Sequence, residues 1–136
     1  MKKYRKFCLI LALLVLILSG CSKKDPPPAP RLITQVDVTC TRDGQTTQRH
    51  YTTPEKTSAI LNYIRLLEGH GRPDTDPERI LGDAFKIVLH FSDGSRQVYY
   101  QRANKYLSRC CRPWENIDPN QGAALYPMMQ KMESDL

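Results

Sequence analysis

"AFKIVLHFSDGSRQVYYQ", residues 84–101, is two strands around one turn, and its register decides which side chains form the core. Phe85, Ile87, Leu89 and Phe91 recur at every second position, the period of a half-buried strand. Asp93-Gly94 separates this run from residues 96–101. Asp-Gly is a strong two-residue hairpin signal, because a type I′ turn needs φ > 0 at both central positions. A two-residue loop sets Leu89 opposite Val98 and Ile87 opposite Tyr100. Phe85, Ile87, Leu89, Val98 and Tyr100 then face a core. Lys86, Val88, His90, Gln97, Tyr99 and Gln101 face outward.

Downstream, a turn near Ala103-Asn104 returns the chain as "KYLSRCC", residues 105–111. That turn puts Tyr99 beside Ser108 and Gln101 near Tyr106. Asp118-Pro119-Asn120-Gln121 reads as a capping box opening a C-terminal helix. Its buried side is Leu125, Met128, Met129 and Met132, with Pro127 kinking or shortening it. Upstream, "LITQVDVTCT", residues 32–41, alternates, with Leu32, Val36, Val38 and Cys40 on one face and Gln35, Asp37 and Thr39 on the other. Asp43-Gly44 then folds a hairpin in which Val36 faces Tyr51 and Cys40 faces Thr47. A helix follows, with Thr53 at the N-cap, Pro54 in the first position and an apolar stripe of Ile60, Leu61, Ile64 and Leu67. Gly69 stops it, and residues 69–83 form a long connection with one helical turn after Asp76-Pro77. The order β-β-α-β-β-β-α defines the α+β class: an antiparallel sheet with helices packed on one face.

The N-terminus carries a different signal. Lys2, Lys3, Arg5 and Lys6 precede an unbroken apolar run over residues 7–18. Twelve helical residues span about 18 Å, short of the ~30 Å hydrocarbon layer, so the run reads as a secretory leader and not as a span. Leu18-Ser19-Gly20-Cys21 resembles the lipobox of bacterial lipoproteins. The resemblance covers residues 1–21. It implies that 1–20 are removed as a signal peptide and that Cys21 carries lipid, tethering the chain to the extracytoplasmic side of the cell envelope. "SKKDPPPAP", residues 22–30, holds four prolines and favours polyproline II at about 3.1 Å per residue, a tether of up to ~28 Å. Residues 31–136 are left for a single domain.

The formal charge of +6 belongs mostly to the leader. Of 20 cations against 14 acids, four cations and no acids lie in residues 1–20, leaving 16 against 14, or +2. The mature chain is near neutral with scattered cations, which gives no basis for nucleic-acid binding. Cys8 leaves with the leader and Cys21 is acylated, so Cys40, Cys110 and Cys111 remain. Strand parity places Cys40 and Cys111 on the inner face, the pairing expected of a disulfide, with Cys110 free. Three free thiols and a vicinal 110–111 bridge are the alternatives.

Enzymatic patterns are weak. His90 and Cys110 share the outer face but stand two strand spacings apart, roughly 9–10 Å, too far for a nucleophile and its base. Asp74, Asp76 and Glu78 lack the glycine and distal glutamate of a calcium loop. His50, His70 and His90 show no metal spacing, and no phosphate loop or nucleophile elbow is present. No metal, cofactor or catalytic residue is assigned. What remains is an outward surface of Val88, His90, Gln97, Tyr99, Gln101, Tyr106 and Trp114, where aromatics with polar tips lie among amides suited to a protein, peptide or glycan. The chain reads as a membrane-anchored binding module and not an enzyme. Its rivals are a thiol-dependent enzyme or soft-metal binder using Cys40, Cys110 and Cys111, and a structural envelope protein.

Overall fold

Asp43 (φ 50°) and Gly44 (φ 76°) both adopt the left-handed conformation that a type I′ turn demands. They join β1 (Ile33–Arg42) to β2 (Gln45–Tyr51) in the register expected from that turn, with Val36 opposite Tyr51 and Cys40 opposite Thr47. The computed structural model describes residues 31–135; the leader, Cys21 and the proline tether expected over residues 1–30 lie outside them. Helix α1 (Pro54–Leu66) follows, then a 3-10 turn at Pro77–Arg79, then β3 (Ala84–Phe91), β4 (Arg96–Arg102), β5 (Tyr106–Arg109) and the short β6 (Glu115–Asn116). Two short helices, α2 (Pro119–Gly122) and α3 (Leu125–Lys131), come last. The fold is α+β, as the element order implies. All strand pairs are antiparallel, in the spatial order β2-β1-β3-β4-β5-β6.

The second hairpin departs from expectation. Gly94 is left-handed (φ 84°), and Asp93 is not among the positive-φ residues. Phe91 N–H bonds Ser95 O and Gly94 N–H bonds Phe91 O, both at 3.0 Å, while Asp93 Oδ1 accepts from Ser95 N at 2.9 Å. The loop is therefore Ser92-Asp93-Gly94, three residues ending in a left-handed glycine. This longer loop slides the ladder by one position: Ile87 faces Tyr99, Val88 faces Val98 and Leu89 faces Gln97. A one-residue slip turns every side chain of a strand to the other face. Gln97, Tyr99 and Gln101 thus point inward, while Val98 and Tyr100 point outward, reversing the assignment made for β4.

The third turn slips as well. Ala103 (φ 53°) and Asn104 (φ 58°) are both left-handed, but pairing resumes at Arg102 and Tyr106, and Tyr100, not Tyr99, faces Ser108. The two slips cancel, so β5 keeps its expected parity, with Leu107 inward and Tyr106 outward.

The core lies between the inner sheet face and the helices. Val36, Val38, Cys40, Tyr51, Phe85, Ile87, Leu89 and Leu107 meet Ile60, Tyr63, Ile64, Leu67, Leu125 and Met129. Thr53 is the N-cap of α1, yet its side chain makes no capping bond. The Asp135 carboxylate takes that role, accepting from Thr52 N and Thr53 N (2.9 Å for the latter) and pairing with Lys56 Nζ at 2.8 Å. These contacts hold the Asp135 carboxyl well below the usual carboxylate range. The C-terminal helix breaks at Ala123-Ala124, before Pro127. A proline ring clashes with the carbonyl four residues earlier, here that of Ala123, so the helix splits there and Pro127 sits in the first turn of α3.

Candidate functional site

The corrected register redistributes the residues that the sequence grouped on one outward surface. Gln101 is 2% exposed and belongs to the core. Its Oε1 accepts from the Tyr63 hydroxyl, and its Nε2 donates to Gly122 O at 2.9 Å, joining β4, α1 and α2. Burial pushes the Tyr63 phenol far above its ordinary range. Gln97 and Tyr99 are half-buried on the inner side, the Tyr99 hydroxyl donating to Gln97 Oε1 at 3.1 Å. Burial, and after it the neighbouring Cys110 sulfur, raises the Tyr99 phenol. Val88, His90 and Tyr106 are half-buried, and ladder parity leaves them on the outer side; Trp114, half-buried just before β6, lines a cavity with Tyr100 and Ser108.

Cys40, Cys110 and Cys111 are all free, Cys40 buried and the other two exposed. A Cys40–Cys111 bridge does not fit the sheet order. β1 and β5 are separated by β3 and β4, three spacings or about 14 Å, against the ~7 Å limit for bridged Cα atoms. Cys110 (φ 45°) and Cys111 (φ 69°) form a left-handed turn closed by Arg112 N–H to Arg109 O at 2.8 Å. That turn carries Cys111 off the inner face.

Two features emerge. On the outer face, Asp37 of β1 lies between two imidazoles. His50 Nδ1 is 2.7 Å from Oδ1 and His90 Nε2 is 2.7 Å from Oδ2, with Gln35 Nε2 also 2.7 Å from Oδ1. Burial opposes ionisation of Asp37, but the bonds from Gln35, His50 and His90 outweigh it and lower its pKa. An ionised Asp37 only accepts, so it fixes the proton on His50 Nδ1 and on His90 Nε2. Asp37 and His50 are direct partners in the first hairpin, a contact legible from Asp43-Gly44 alone. His90 joins them through the β1–β3 pairing, for which no local signal exists. Among the described residues no group of three or more His, Cys, Asp or Glu side chains is arranged to hold a metal ion.

The second feature is a solvent-open groove of about 650 Å³ on the inner side, between α1 and the ends of β1, β3 and β4. Its size lies in the ~300–1,000 Å³ range of ligand sites. Ile33, Leu61, Phe91 and Tyr99 pack against the core but stay partly exposed, and they supply an apolar floor. Arg31, Arg65 and Arg109 line it, and no acidic residue does. Arg31 stacks 4.7 Å over the Phe91 ring and donates to Ser95 Oγ at 3.4 Å; Arg109 Nη2 donates to Leu67 O. None of the three has an ion-pair partner among the described residues. Gln97 and Tyr99, two of the three residues the slip moved inward, are part of this lining. Sequence reasoning missed the arginines because they lie far apart in the chain, Arg31 just before β1, Arg65 on α1 and Arg109 on β5. Fold and site together define an antiparallel α+β domain with a cationic, apolar-floored groove under one helix. Comparison with family models, curated proteins and solved structures returned no match.

Proposed function

We propose that this chain is a lipid-tethered, extracytoplasmic binding module whose working site is the groove beneath α1. The observation that carries this reading is the pairing of an uncovered apolar floor with three guanidinium groups that form no ion pair among the described residues, Arg31 and Arg109 being held by neutral partners. Apolar surface left at the edge of a core costs hydration until a ligand covers it. Guanidinium groups without carboxylates are free to meet a ligand's own anionic groups. The lipobox resemblance of residues 18–21 and the proline run supply the tether.

A photo-crosslinking side chain at Ser58, exposed on the groove wall, tests this against one at Thr46, exposed on β2. In intact cells the Ser58 position is expected to give a discrete adduct and Thr46 none. Adducts from Thr46 alone would move the site to the outer face. That second reading has one observation of its own: Tyr100, 44% exposed, stands beside Val98 on the outer face, away from the core that the described α-helices cover.

A further inference from the structure

Resting on the groove as the site, the geometry points to one ligand class, which we propose is an extended peptide alternating acidic and apolar side chains. The cations are not gathered at one point. Arg31 is fixed at the hairpin end of the groove by Phe91 and Ser95. Arg109 lies at the other end, as the ladder partner of Tyr99. Ser95 and Tyr99 are four strand residues apart, about 13 Å. A ligand with one anionic head reaches one end only, whereas an extended chain carries charges at both. Arg65, in the last turn of α1, adds a third contact along the wall.

The floor sets the other half of the pattern. Leu61 of α1 and Ile33, Phe91 and Tyr99 of the sheet line the groove and stay partly exposed, so apolar side chains settle between the charged ones. Alternation follows from the ligand's own geometry, since successive side chains of an extended chain point to opposite sides. Gln97 stands beside Tyr99 with amide atoms able to bond a peptide backbone. The Asp93 carboxylate feels Arg31 but is already bonded by Ser95 N and Oγ.

The test uses the full chain in detergent micelles, with empty micelles subtracted. Amide chemical shifts are followed against a capped nonapeptide alternating glutamate and leucine. Comparators are the lysine–leucine and glutamate–serine peptides and phosphatidylglycerol vesicles. The glutamate–leucine peptide is expected to shift residues 61, 97 and 99. Arg31→Glu and Arg65→Glu, both at exposed positions and each compared with the unaltered chain by thermal melt to establish that it is folded, are expected to weaken it about tenfold each. Raised salt is expected to weaken it further. If the lysine–leucine peptide binds the groove as well, the groove stands and the ligand class falls. Shifts confined to Val88, Val98 and Tyr100 would overturn the groove itself. Binding to the vesicles without binding to any peptide would replace the peptide by a lipid. No binding by any probe would overturn the ligand class, and the Ser58 adduct would then judge the groove alone.

Discussion

At the scale of single residues, adjacent tyrosines take opposite roles. Tyr99 packs against the core while Tyr100 is exposed. Tyr99→Ser is therefore expected to cost about 2 kcal/mol and Tyr100→Ser close to nothing, read as paired denaturation midpoints. The sequence assigned them the other way round, and the cause is one residue: Ser92 belongs to the turn, and the Asp93 side chain bonds Ser95 instead of leaving a two-residue loop. The alternation of β3 was legible because a strand's own period reveals its faces. The parity of β4 was not, because it depends on loop length. Tyr51 offers a second test. Its hydroxyl is buried without a hydrogen-bond partner among the described residues, an arrangement that disfavours the folded state. Tyr51→Phe should raise the melting temperature, by an amount equivalent to about 1 kcal/mol; a fall would mean that the hydroxyl has a partner. Asp37 provides the pH dependence. Its pKa is lower in the folded chain than the ordinary aspartate value, so its contribution is present above that value and fades as pH falls through the folded one. Asp37→Asn should flatten the loss of stability as pH falls below about 4, measured by denaturant titration at each pH.

At the scale of elements, each turn governs the strand that follows it. Asp43-Gly44 and Ser92-Asp93-Gly94 share an Asp-Gly pair, yet one closes with two residues and the other with three. Gly94 (φ 84°) has open space around it, so Gly94→Ala costs backbone strain alone, about 1–2 kcal/mol. Gly94→Asn, a residue that tolerates this conformation, should recover much of the loss in the same thermal melt. Equal effects of Ala and Asn would show that conformation is not the cause. Helix α1 was legible in outline from its proline and apolar stripe, but Tyr63 was not read as core. A buried tyrosine needs a polar partner, and Gln101 had been placed on the opposite face. The groove stayed hidden for a related reason. Arg31, Arg65 and Arg109 come together only when the sheet order β2-β1-β3-β4-β5-β6 is known. Charges scattered along a sequence give no hint of a common wall.

At the scale of the whole molecule, the leader proposed for residues 1–20 and the folded domain make separable claims. Cys21→Ala should leave a precursor that takes up no radiolabelled fatty acid, while the unaltered chain is labelled; equal labelling of both would remove the tether. The domain's own architecture carries a further implication for the order of its assembly. Asp135 reaches back 83 residues to Thr52, and its own N–H bonds His50 O at 2.9 Å, so one late carboxylate secures the edge strand and the start of the first helix together. A chain emerging from a ribosome or threading through a pore presents residue 135 long after residues 50–56. Until then the amides of Thr52 and Thr53 lack this partner, and closing so long a loop is slow compared with forming the two early hairpin strands. The latch makes completion of the domain a late event, timed by the passage of its last segment and not by the appearance of its core.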